Sequence, residues 1–370
     1  EIMYTVLESI GTANPPFKSS QSDLASFMSQ IESLSTPIKS KIAEIYSKSG
    51  IDYRYICLEN FINQPEALKF YPQNCSLKPT PTTAIRNEYY RQNALEIAEK
   101  AVLEAMVGIE KTKITHLIVI SCTGFSAPGL DIQLIKRLGL SRKIDRTLIG
   151  FMGCNAAFNG FKVAHSICQS NTQAVVLLVC VELCSLHFQI EDSIKSVVIN
   201  TIFADGAAAA IFSSVGAEEA QGKLSYRAGY SLVLEDTMDL MSWTIGDTGF
   251  GMELSAELPK VVSKHLPGYL AEFQFKHGLE YSALDFWAIH PGGRKILDRI
   301  ATDLNLNSAL IDDSYEVLRQ YGNMSSATIL FILKRLLNKH QEKNSNLKEG
   351  IVLGFGPGLS IEGCIFQQVY

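Results

Sequence analysis

A short apolar run that ends at a reactive side chain and leads into a helical pattern occurs twice in this chain. Residues 147–152 form the first run, which leads into Cys154. Residues 284–289 form the second, which ends at His290. A buried strand, a tight turn and a helix are the repeating unit of α/β folds. The sequence therefore predicts an α/β protein with reactive side chains at strand ends.

The remaining pattern supports two similar α/β halves. The other predicted strands are residues 116–121, 174–180, 207–212, 226–234, 351–355 and 363–369, and the predicted helices are 22–49, 87–108, 131–138, 155–169, 259–275, 294–304 and 325–338. A polar break at residues 216–223 separates the halves, which we assign to residues 1–220 and 221–370. Such halves fit a duplicated, five-layered architecture, although no sequence repeat proves duplication.

Composition excludes several classes of function. The chain has 370 residues, of which 46% are hydrophobic, so a large core is expected. A net charge of −5 argues against a nucleic-acid partner. No apolar stretch approaches the ~20 residues of a membrane span, and no signal peptide is visible. Eight scattered cysteines without a CxxC pair indicate reduced thiols in a cytoplasmic protein and no metal site.

Three residues in distinctive contexts could form a catalytic constellation. Cys154 lies where a helix should begin, and a helix N-terminus lowers the pKa of a thiol; the alternative is a buried core cysteine. His290 precedes a glycine pair and could activate a thiolate, or it could be a turn histidine. Asn323 could donate to an oxyanion or enolate, or simply cap a helix.

Four motifs in order resemble those of type III polyketide synthases, the chalcone synthase-like enzymes of the thiolase superfamily. They are GFMGCNAAFNG at 150–160, HPGG at 290–293, YGNMSS at 321–326 and GFGPG at 354–358. The resemblance covers the chain from residue 11 to the C-terminus and implies a thiolase-like five-layered αβαβα fold. It also implies a homodimer that needs no metal or cofactor, with malonyl-CoA and an acyl-CoA starter as its substrates.

The resemblance also implies a role for each motif. Cys154 would take the acyl group from CoA. His290 and Asn323 would hold the thioester carbonyl and assist the decarboxylation of malonyl-CoA, and the enolate would attack the acyl group on Cys154. After repeated rounds, the poly-β-ketone would cyclise.

Other family positions shape the cavity or bind CoA. The gatekeeper and cavity positions of the family correspond to Phe203, Met252, His187, Cys184, Ala127, Gly356, Pro357 and Ser325. The CoA-binding basic positions of the family fall near Lys41 and Lys48, although Glu44 stands where the family has an arginine-type residue. Lys295, two residues beyond the glycine pair, could add a phosphate contact or could simply be a solvated surface lysine.

Several of these positions depart from the plant enzymes. Met252 replaces a phenylalanine, Cys184 and His187 replace threonines, and Ala127 replaces a methionine that crosses the dimer interface. Flexible Met and small Ala suit a long, adaptable acyl chain. We therefore predict a bacterial-type alkylpyrone or alkylresorcinol synthase. The alternatives are a single-round ketoacyl synthase that uses an acyl-carrier protein and a non-catalytic thiolase-fold subunit.

Overall fold

The computed structural model describes residues 2–58, 70–72, 75–342 and 347–370. The strands in these ranges are β1 (Met3–Ala13), β2 (Phe17–Ser20), β3 (Tyr53–Ile56), β4 (His116–Ser121), β5 (Asp145–Gly150), β6 (Val175–Leu183), β7 (Asp205–Gly216), β8 (Leu224–Val233), β9 (Met241–Gly246), β10 (Gly249–Leu254), β11 (Phe286–Ile289), β12 (Glu349–Gly356) and β13 (Ser360–Gln368). The helices are α1 (Gln21–Ser29), α2 (Thr36–Ser47), α3 (Thr83–Ala105), α4 (Leu130–Leu138), α5 (Ala156–Ser170), α6 (Ile194–Asn200), α7 (Ala217–Ala220), α8 (Leu258–His277), α9 (Arg294–Asp303), α10 (Ser308–Tyr321) and α11 (Thr328–Glu342).

Nine strands form one sheet whose two ends repeat the same topology. The order is β11-β12-β13-β8-β1-β7-β6-β4-β5, and β1 meets β8 through the single pair Val6 and Ser225. Outward from that junction, each end has two antiparallel pairings followed by one parallel pairing. The strands in that order are β1, β7, β6 and β4 at one end and β8, β13, β12 and β11 at the other. Strand β4 therefore corresponds to β11, and α5 corresponds to α11.

Alternate residues of the strands pack into different cores, which produces five layers. In β6, Leu178 faces a central core and Leu177 faces an outer one that contains α3 and α4 residues. In β12, Val352 faces the same central core and Ile351 faces the other outer core, which contains α8 and α9 residues. Because α5 and α11 fill the central core between the two half-sheets, the layers run α-β-α-β-α, as the sequence predicted.

Several elements differ from the sequence-based expectations. The predicted helix over 22–49 is two helices, α1 and α2, because residues 30–35 form turns. Strands β1, β9 and β10 and helices α6 and α10 were not predicted. The predicted helix over 325–338 starts later, since a 3₁₀ turn at Ser325–Ala327 precedes α11.

Strand β1 shows why such elements were missed. Glu8, Ser9 and Gly11 interrupt its apolar pattern, yet its pairing with β7 runs from Met3 to Ala13. The partner strand satisfies its backbone, and the sequence pattern does not contain that information. The domain boundary at residue 220 stays a prediction.

Within the described ranges, no helix is long and apolar enough to cross a lipid bilayer. Among the same residues, no group of three His, Cys, Asp or Glu side chains is arranged to hold a metal ion.

Candidate active site

Cys154 lies in the tight connection between β5 and α5. Gly153 has φ +93°, a conformation that side chains other than glycine rarely adopt. A Cβ on Gly153 would lie 2.3 Å from Cδ of Pro357, so the turn also needs glycine for space. Asn155 then precedes the first turn of α5. The turn delivers Cys154, which is only 7% exposed, to the wall of an internal cavity.

The GFGPG segment packs directly on this turn. A Cβ on Gly356 would lie 2.3 Å from Oδ1 of Asn155, so the backbone of β12 passes close to the residue after the cysteine. The Asn155 amide donates to Oγ of Ser360 at 2.8 Å, which ties α5 to β13. Pro357 lines the cavity itself. The two glycine-rich segments from opposite halves thus form one wall, with Gly356 behind it rather than in it.

Asn323 is held so that its amide nitrogen faces Cys154. The backbone N–H of Ser325 donates to Oδ1 at 2.8 Å, which fixes the orientation of the amide. Nδ2 then lies 4.0 Å from Sγ of Cys154 and 3.4 Å from the carbonyl oxygen of Gly292. The side chain is buried and comes from the segment before α11, the counterpart of α5. A donor is therefore available beside the thiol.

His290 lies at the carboxyl end of β11, where its N–H donates to the carbonyl oxygen of Leu353 at 2.8 Å. Its imidazole is buried, and neither ring nitrogen has a hydrogen-bond partner among the described residues. Buried polar atoms are usually paired, so an unpaired imidazole suits a group that waits for a ligand. Gly292, two residues later, meets the Asn323 amide and brings this segment to the same site.

Burial keeps both reactive groups neutral. It raises the pKa of the Cys154 thiol to about 11, although hydrogen bonds from Ser325 and Asn323 act in the opposite direction. Burial also lowers the pKa of His290 to about 4. The sequence predicted a lowered thiol pKa from the helix N-terminus, and in the resting site the loss of hydration outweighs that effect. A neutral imidazole can accept the thiol proton when an acyl donor binds.

The cavity around Cys154 has a volume of about 140 Å³. Its walls include Phe203, Met252, Cys184, His187, Ser325 and Pro357, all predicted from the sequence. The hairpin β9–β10 supplies one wall, in which Met252 pairs with Trp243. The structure therefore brings these residues together around one cavity, and their roles stay a prediction.

His187 is fixed by the backbone on both sides of its ring. Its Nε2 lies 2.6 Å from the carbonyl oxygen of Thr123, and its Nδ1 accepts the N–H of Phe250 at 3.0 Å. The ring also stacks on Phe250 at 4.0 Å, and burial lowers its pKa to about 4. With both nitrogens occupied, His187 supports the hairpin wall and does not offer a hydrogen bond to a ligand.

Ala127 and the lysines lie away from the cavity wall. Ala127 is exposed in the loop before α4 and is not among the cavity-lining residues. Lys41 is exposed on α2 and Lys48 is exposed at its C-cap, and Glu44 pairs with both, at 3.9 Å and 2.6 Å. Lys295 is exposed in the first turn of α9.

Glu182 at the end of β6 was missed by the sequence analysis. Its carboxyl group is fully buried and accepts the N–H of Cys122 and, at 2.9 Å, the hydroxyl of Thr123. The hydroxyl of Ser326 also donates to it, and burial raises its pKa to about 7. A lone acid in an otherwise apolar strand was the available signal, because such an acid needs buried partners.

Comparisons with known proteins agree with this architecture. The N-terminal domain of chalcone and stilbene synthases matches residues 3–218, and the C-terminal domain matches residues 228–370. The alpha-pyrone synthesis polyketide synthase-like Pks18 of Mycobacterium tuberculosis is 31% identical over 98% of this chain and 91% of its own length.

Solved structures extend the likeness. PKS-I from the brown alga Ectocarpus siliculosus is 34% identical, with a TM-score of 0.93 over 100% of this chain and 99% of its own. The C-terminal type III polyketide synthase domain of Steely1 from Dictyostelium is 26% identical, with a TM-score of 0.86 over 99% of this chain and 100% of its own. The predicted thiolase-like fold and the predicted acyltransferase class are confirmed. The chain belongs to the chalcone and stilbene synthase family, and it is a type III polyketide synthase.

Proposed function

We propose that this enzyme extends an acyl-CoA starter with malonyl-CoA on Cys154 in repeated rounds and releases a cyclised pyrone-type product. The observation that carries the proposal is the placement of the Cys154 thiol on the wall of a buried cavity, 4.0 Å from the amide nitrogen of Asn323. A nucleophile and a neutral donor at one point are what acyl transfer through an oxyanion requires.

In the loading step, the sulfur of Cys154 attacks the thioester carbonyl of the acyl-CoA. His290 accepts the thiol proton, because its imidazole is neutral and has no competing partner among the described residues. The bond from the acyl carbon to the CoA sulfur breaks, and the proton passes from His290 to the departing CoA thiolate. The acyl group is then held as a thioester on Cys154.

In the extension step, malonyl-CoA loses its carboxylate as CO₂ and leaves an enolate of acetyl-CoA. The amide of Asn323 and the imidazole of His290 donate to the enolate oxygen, which stabilises the negative charge in a dry site. The enolate carbon attacks the acyl carbonyl on Cys154, a carbon–carbon bond forms, and the thiolate leaves. The β-ketoacyl-CoA can then reload the cysteine for another round.

The cavity supports an aliphatic starter. Beside polar side chains, its lining includes six apolar ones from α1, α6 and their surroundings, namely Leu24, Phe27, Met28, Ile56, Phe188 and Ile199. Met28, Met241 and Met252 line the cavity, and methionine side chains rearrange more easily than branched or aromatic ones. A resting volume of about 140 Å³ can therefore enlarge when an acyl chain enters.

CoA would bind at the surface near α2. Tyr46 of α2 lines the cavity, while Lys41 lies exposed on the same helix and Lys48 at its C-cap. Lys295 at the start of α9 adds a third positive charge, since Arg294 beside it packs on Gly50 just beyond α2. Phosphate groups of CoA would compete with Glu44 for the two α2 lysines.

Two observations support a homodimer in the cytoplasm. Strand β5 is at the edge of the sheet and exposes Leu148, while Ile132 and Met152 are exposed nearby in sequence. An exposed edge strand with apolar side chains is usually covered by a partner, and a second copy would meet Ala127 from the same side. All eight cysteines are free thiols, which suits a reducing compartment. The scheme requires no metal or cofactor, because CoA thioesters supply every reactant.

The relative Pks18 carries alpha-pyrone synthesis in its name. Lactonisation of a triketide or tetraketide bound in the cavity would produce an alkylpyrone here, and an aldol closure of a longer chain would produce an alkylresorcinol.

A product assay tests the proposal. Purified enzyme is incubated with labelled malonyl-CoA and a panel of acetyl-, medium-chain, long-chain and aromatic acyl-CoAs, and the products are analysed by mass spectrometry. We expect pyrones or resorcinols with several malonyl-derived units from the aliphatic starters, without a carrier protein.

The matched controls are Cys154→Ala and Cys75→Ala, since Cys75 is exposed and outside the cavity. Product from Cys154→Ala would overturn the role of that thiol. Condensation that occurs only once acyl-carrier protein is added would support a single-round ketoacyl synthase instead.

A further inference from the structure

We infer that Arg54 is a positioning residue that fixes the gatekeeper Phe203 and the donor Asn323 relative to each other. This inference rests on the proposed role of Asn323. Arg54 lies in β3, is only 5% exposed and borders the cavity beside Phe203. A charged side chain is rarely buried to this extent unless it is paired.

The guanidinium group is bound to the turn that carries Phe203. Its Nη1 donates to the carbonyl oxygens of Asn200 and Phe203, both at 2.8 Å. Its Nε donates to Oε1 of Gln21 at 2.9 Å. Gln21 in turn donates to the carbonyl oxygen of Thr201 at 2.8 Å. One pair of buried side chains, Arg54 and Gln21, thus hydrogen-bonds to three carbonyl groups at and just after the end of α6.

The carbonyl group of Ile202, in the same turn, connects the turn to Asn323. The N–H of Asn323 donates to the Ile202 oxygen at 2.9 Å, and the N–H of Ala204 donates to the Asn323 oxygen at 2.9 Å. These two bonds form a parallel bridge between Phe203 and Asn323. The position of the Asn323 backbone, and hence of its amide, therefore depends on where the turn is held.

The stem of Arg54 contacts the other side of the same bridge. A Cβ on Gly322 would lie 3.0 Å from Cγ and 3.1 Å from Cδ of Arg54. Arg54 consequently packs against the residue before Asn323 while its guanidinium holds the Phe203 turn. One side chain spans both segments.

Burial lowers the pKa of Arg54, and its surroundings offset part of that effect. Tyr46 has its ring 5.9 Å from the guanidinium carbon, and the buried carboxyl group of Asp205 attracts the charge. The carbonyl end of α6 also favours a cation. A lysine has one nitrogen at its tip, so it cannot reproduce the planar fork that reaches Gln21 and two carbonyl groups.

The consequence is catalytic because small displacements of a donor are costly. A shift of ~1 Å at the donor can reduce a rate about 10²-fold when the geometry of an oxyanion contact is lost. Loss of Arg54 would release Asn323 without altering Cys154, which lies on a different segment and turn.

The experiment compares Arg54→Ala, Arg54→Lys and Asn323→Ala in the full chain. Two rates are measured: malonyl-CoA decarboxylation and alkylation of Cys154 by iodoacetamide. For Arg54→Ala we expect decarboxylation to fall about 100-fold, with the alkylation rate within about threefold of wild type. Arg54→Lys should lie between Arg54→Ala and wild type.

Chemical rescue separates positioning from general damage. Millimolar guanidinium should restore decarboxylation in Arg54→Ala by about tenfold, because the ion can occupy the vacated site and donate to the same carbonyls. Arg319→Ala is the matched control: Arg319 anchors the same segment through Asp52 but is exposed and does not touch the Phe203 turn. Guanidinium should not change its rate.

Wild-type decarboxylation in Arg54→Ala, or parallel loss of decarboxylation and alkylation without rescue, would overturn the inference. If Arg54→Ala does not fold, the ratio of the two rates in Arg54→Lys decides in the same way. If Asn323→Ala retains decarboxylation, the proposed role of Asn323 fails. If Asn323→Ala loses it and the Arg54 variants do not, only the inference fails.

Discussion

The segments before α5 and before α11 occupy corresponding positions in the two halves, yet they supply different chemistry. Each begins with a glycine at positive φ, Gly153 at +93° and Gly322 at +70°, followed at once by the reactive residue, Cys154 or Asn323. The first then enters α5 after Asn155, whereas the second makes a 3₁₀ turn before α11. The same backbone conformation therefore precedes the proposed nucleophile in one half and the proposed donor in the other.

The corresponding strand ends differ in the same way. After β4, Cys122 accepts the N–H of Gly153 at 3.2 Å and supports the turn of its own half. After β11, neither ring nitrogen of His290 has a hydrogen-bond partner among the described residues, as its proposed catalytic role requires. Two halves of the same topology can thus differ in function, because one half uses this position for an internal contact and the other leaves its polar atoms unpaired for a ligand.

The largest effects are expected for single variants of Cys154 in one half and of Asn323 in the other, which should lose different activities. Cys154→Ala should abolish product formation and labelling of the peptide that carries residue 154, but retain decarboxylation of malonyl-CoA. Asn323→Ala should retain labelling of Cys154 and lose decarboxylation about 10³-fold, since a donor to the enolate is removed. Labelled-peptide mass spectrometry and acetyl-CoA release measure both. If each variant lost both activities equally, the division of labour between the halves would be wrong.

His290→Ala should reduce decarboxylation about 10²-fold, because a general acid–base group is lost. The pH profile adds a second readout. Since the pKa of His290 is lowered to about 4, the imidazole stays neutral as the pH falls from 8 to 5, and the rate should show no loss near pH 6.5. The rate should fall only as the pH approaches 4, and circular dichroism at each pH controls for unfolding. A midpoint near 6.5 in the folded enzyme would contradict the buried, neutral imidazole.

Substitution of Gly153 and of Gly322 tests whether both turns need a glycine at positive φ. Gly153→Ala and Gly322→Ala should each lower the free energy of unfolding by about 2–4 kcal/mol, through strain at positive φ and through contacts at 2.3 Å and 2.9 Å. Denaturant titration measures the change. Gly268→Ala in α8 is the control, because a Cβ there meets nothing within 4 Å and should be neutral or slightly stabilising. If Gly322→Ala left the free energy of unfolding unchanged, the requirement for glycine would apply only to the turn before Cys154.

His187→Gln contrasts a paired buried histidine with the unpaired His290. In the folded protein the pKa of His187 is lowered to about 4, whereas in the unfolded chain it is near 6.5. The unfolded chain therefore binds the proton first, and the stability contributed by neutral His187 is lost as pH falls from about 6.5 to 4, by roughly 3 kcal/mol in full.

Glutamine offers the same donor and acceptor without titrating. The free energy of unfolding of His187→Gln should therefore decline less steeply than that of wild type between pH 6.5 and 4. Product formation at neutral pH should stay within about threefold, since His187 offers no hydrogen bond to a ligand. An unchanged acid slope would mean that His187 is protonated in the folded state.

The smallest effect concerns the proposed site for the CoA phosphates near α2 and α9. Glu44→Gln should lower KM for malonyl-CoA about threefold at low salt, because Lys41 and Lys48 lose their internal partner. Lys295→Ala in the other half should raise KM by a similar factor. Both effects should shrink at high salt. No change in either variant would move the phosphate site away from α2 and α9.

Much of the fold was predictable where a segment carries its own pattern. Strands β4 and β6 and helices α4 and α5 were predicted to within a few residues, because continuous apolar runs and helical spacing mark them locally. The hairpin β9–β10 was missed. Its stability depends on contacts with distant residues, such as the bond from Trp243 to the Cys122 carbonyl and from Phe250 to His187.

The residues of the candidate site also differ in whether a local sequence pattern could predict them. The motifs identified Cys154, His290 and Asn323, since each glycine-rich context signals an unusual backbone. They could not reveal Glu182 or Arg54, whose significance lies in buried hydrogen bonds to residues more than 50 positions away. His187 was predicted as a cavity residue, but its fixed ring orientation emerges only when Thr123 and Phe250 are brought together.

The sequence by itself determined the family and the alternation of strands and helices, and it proposed Cys154, His290 and Asn323 as the reactive residues, because motifs and periodic patterns are encoded in short stretches of chain. Tertiary structure decided the protonation states, the orientation of the Asn323 amide and the walls of the cavity. Those properties depend on burial and on hydrogen bonds between the two halves, which exist only after Cys154 and Asn323 have been brought together from segments 169 residues apart.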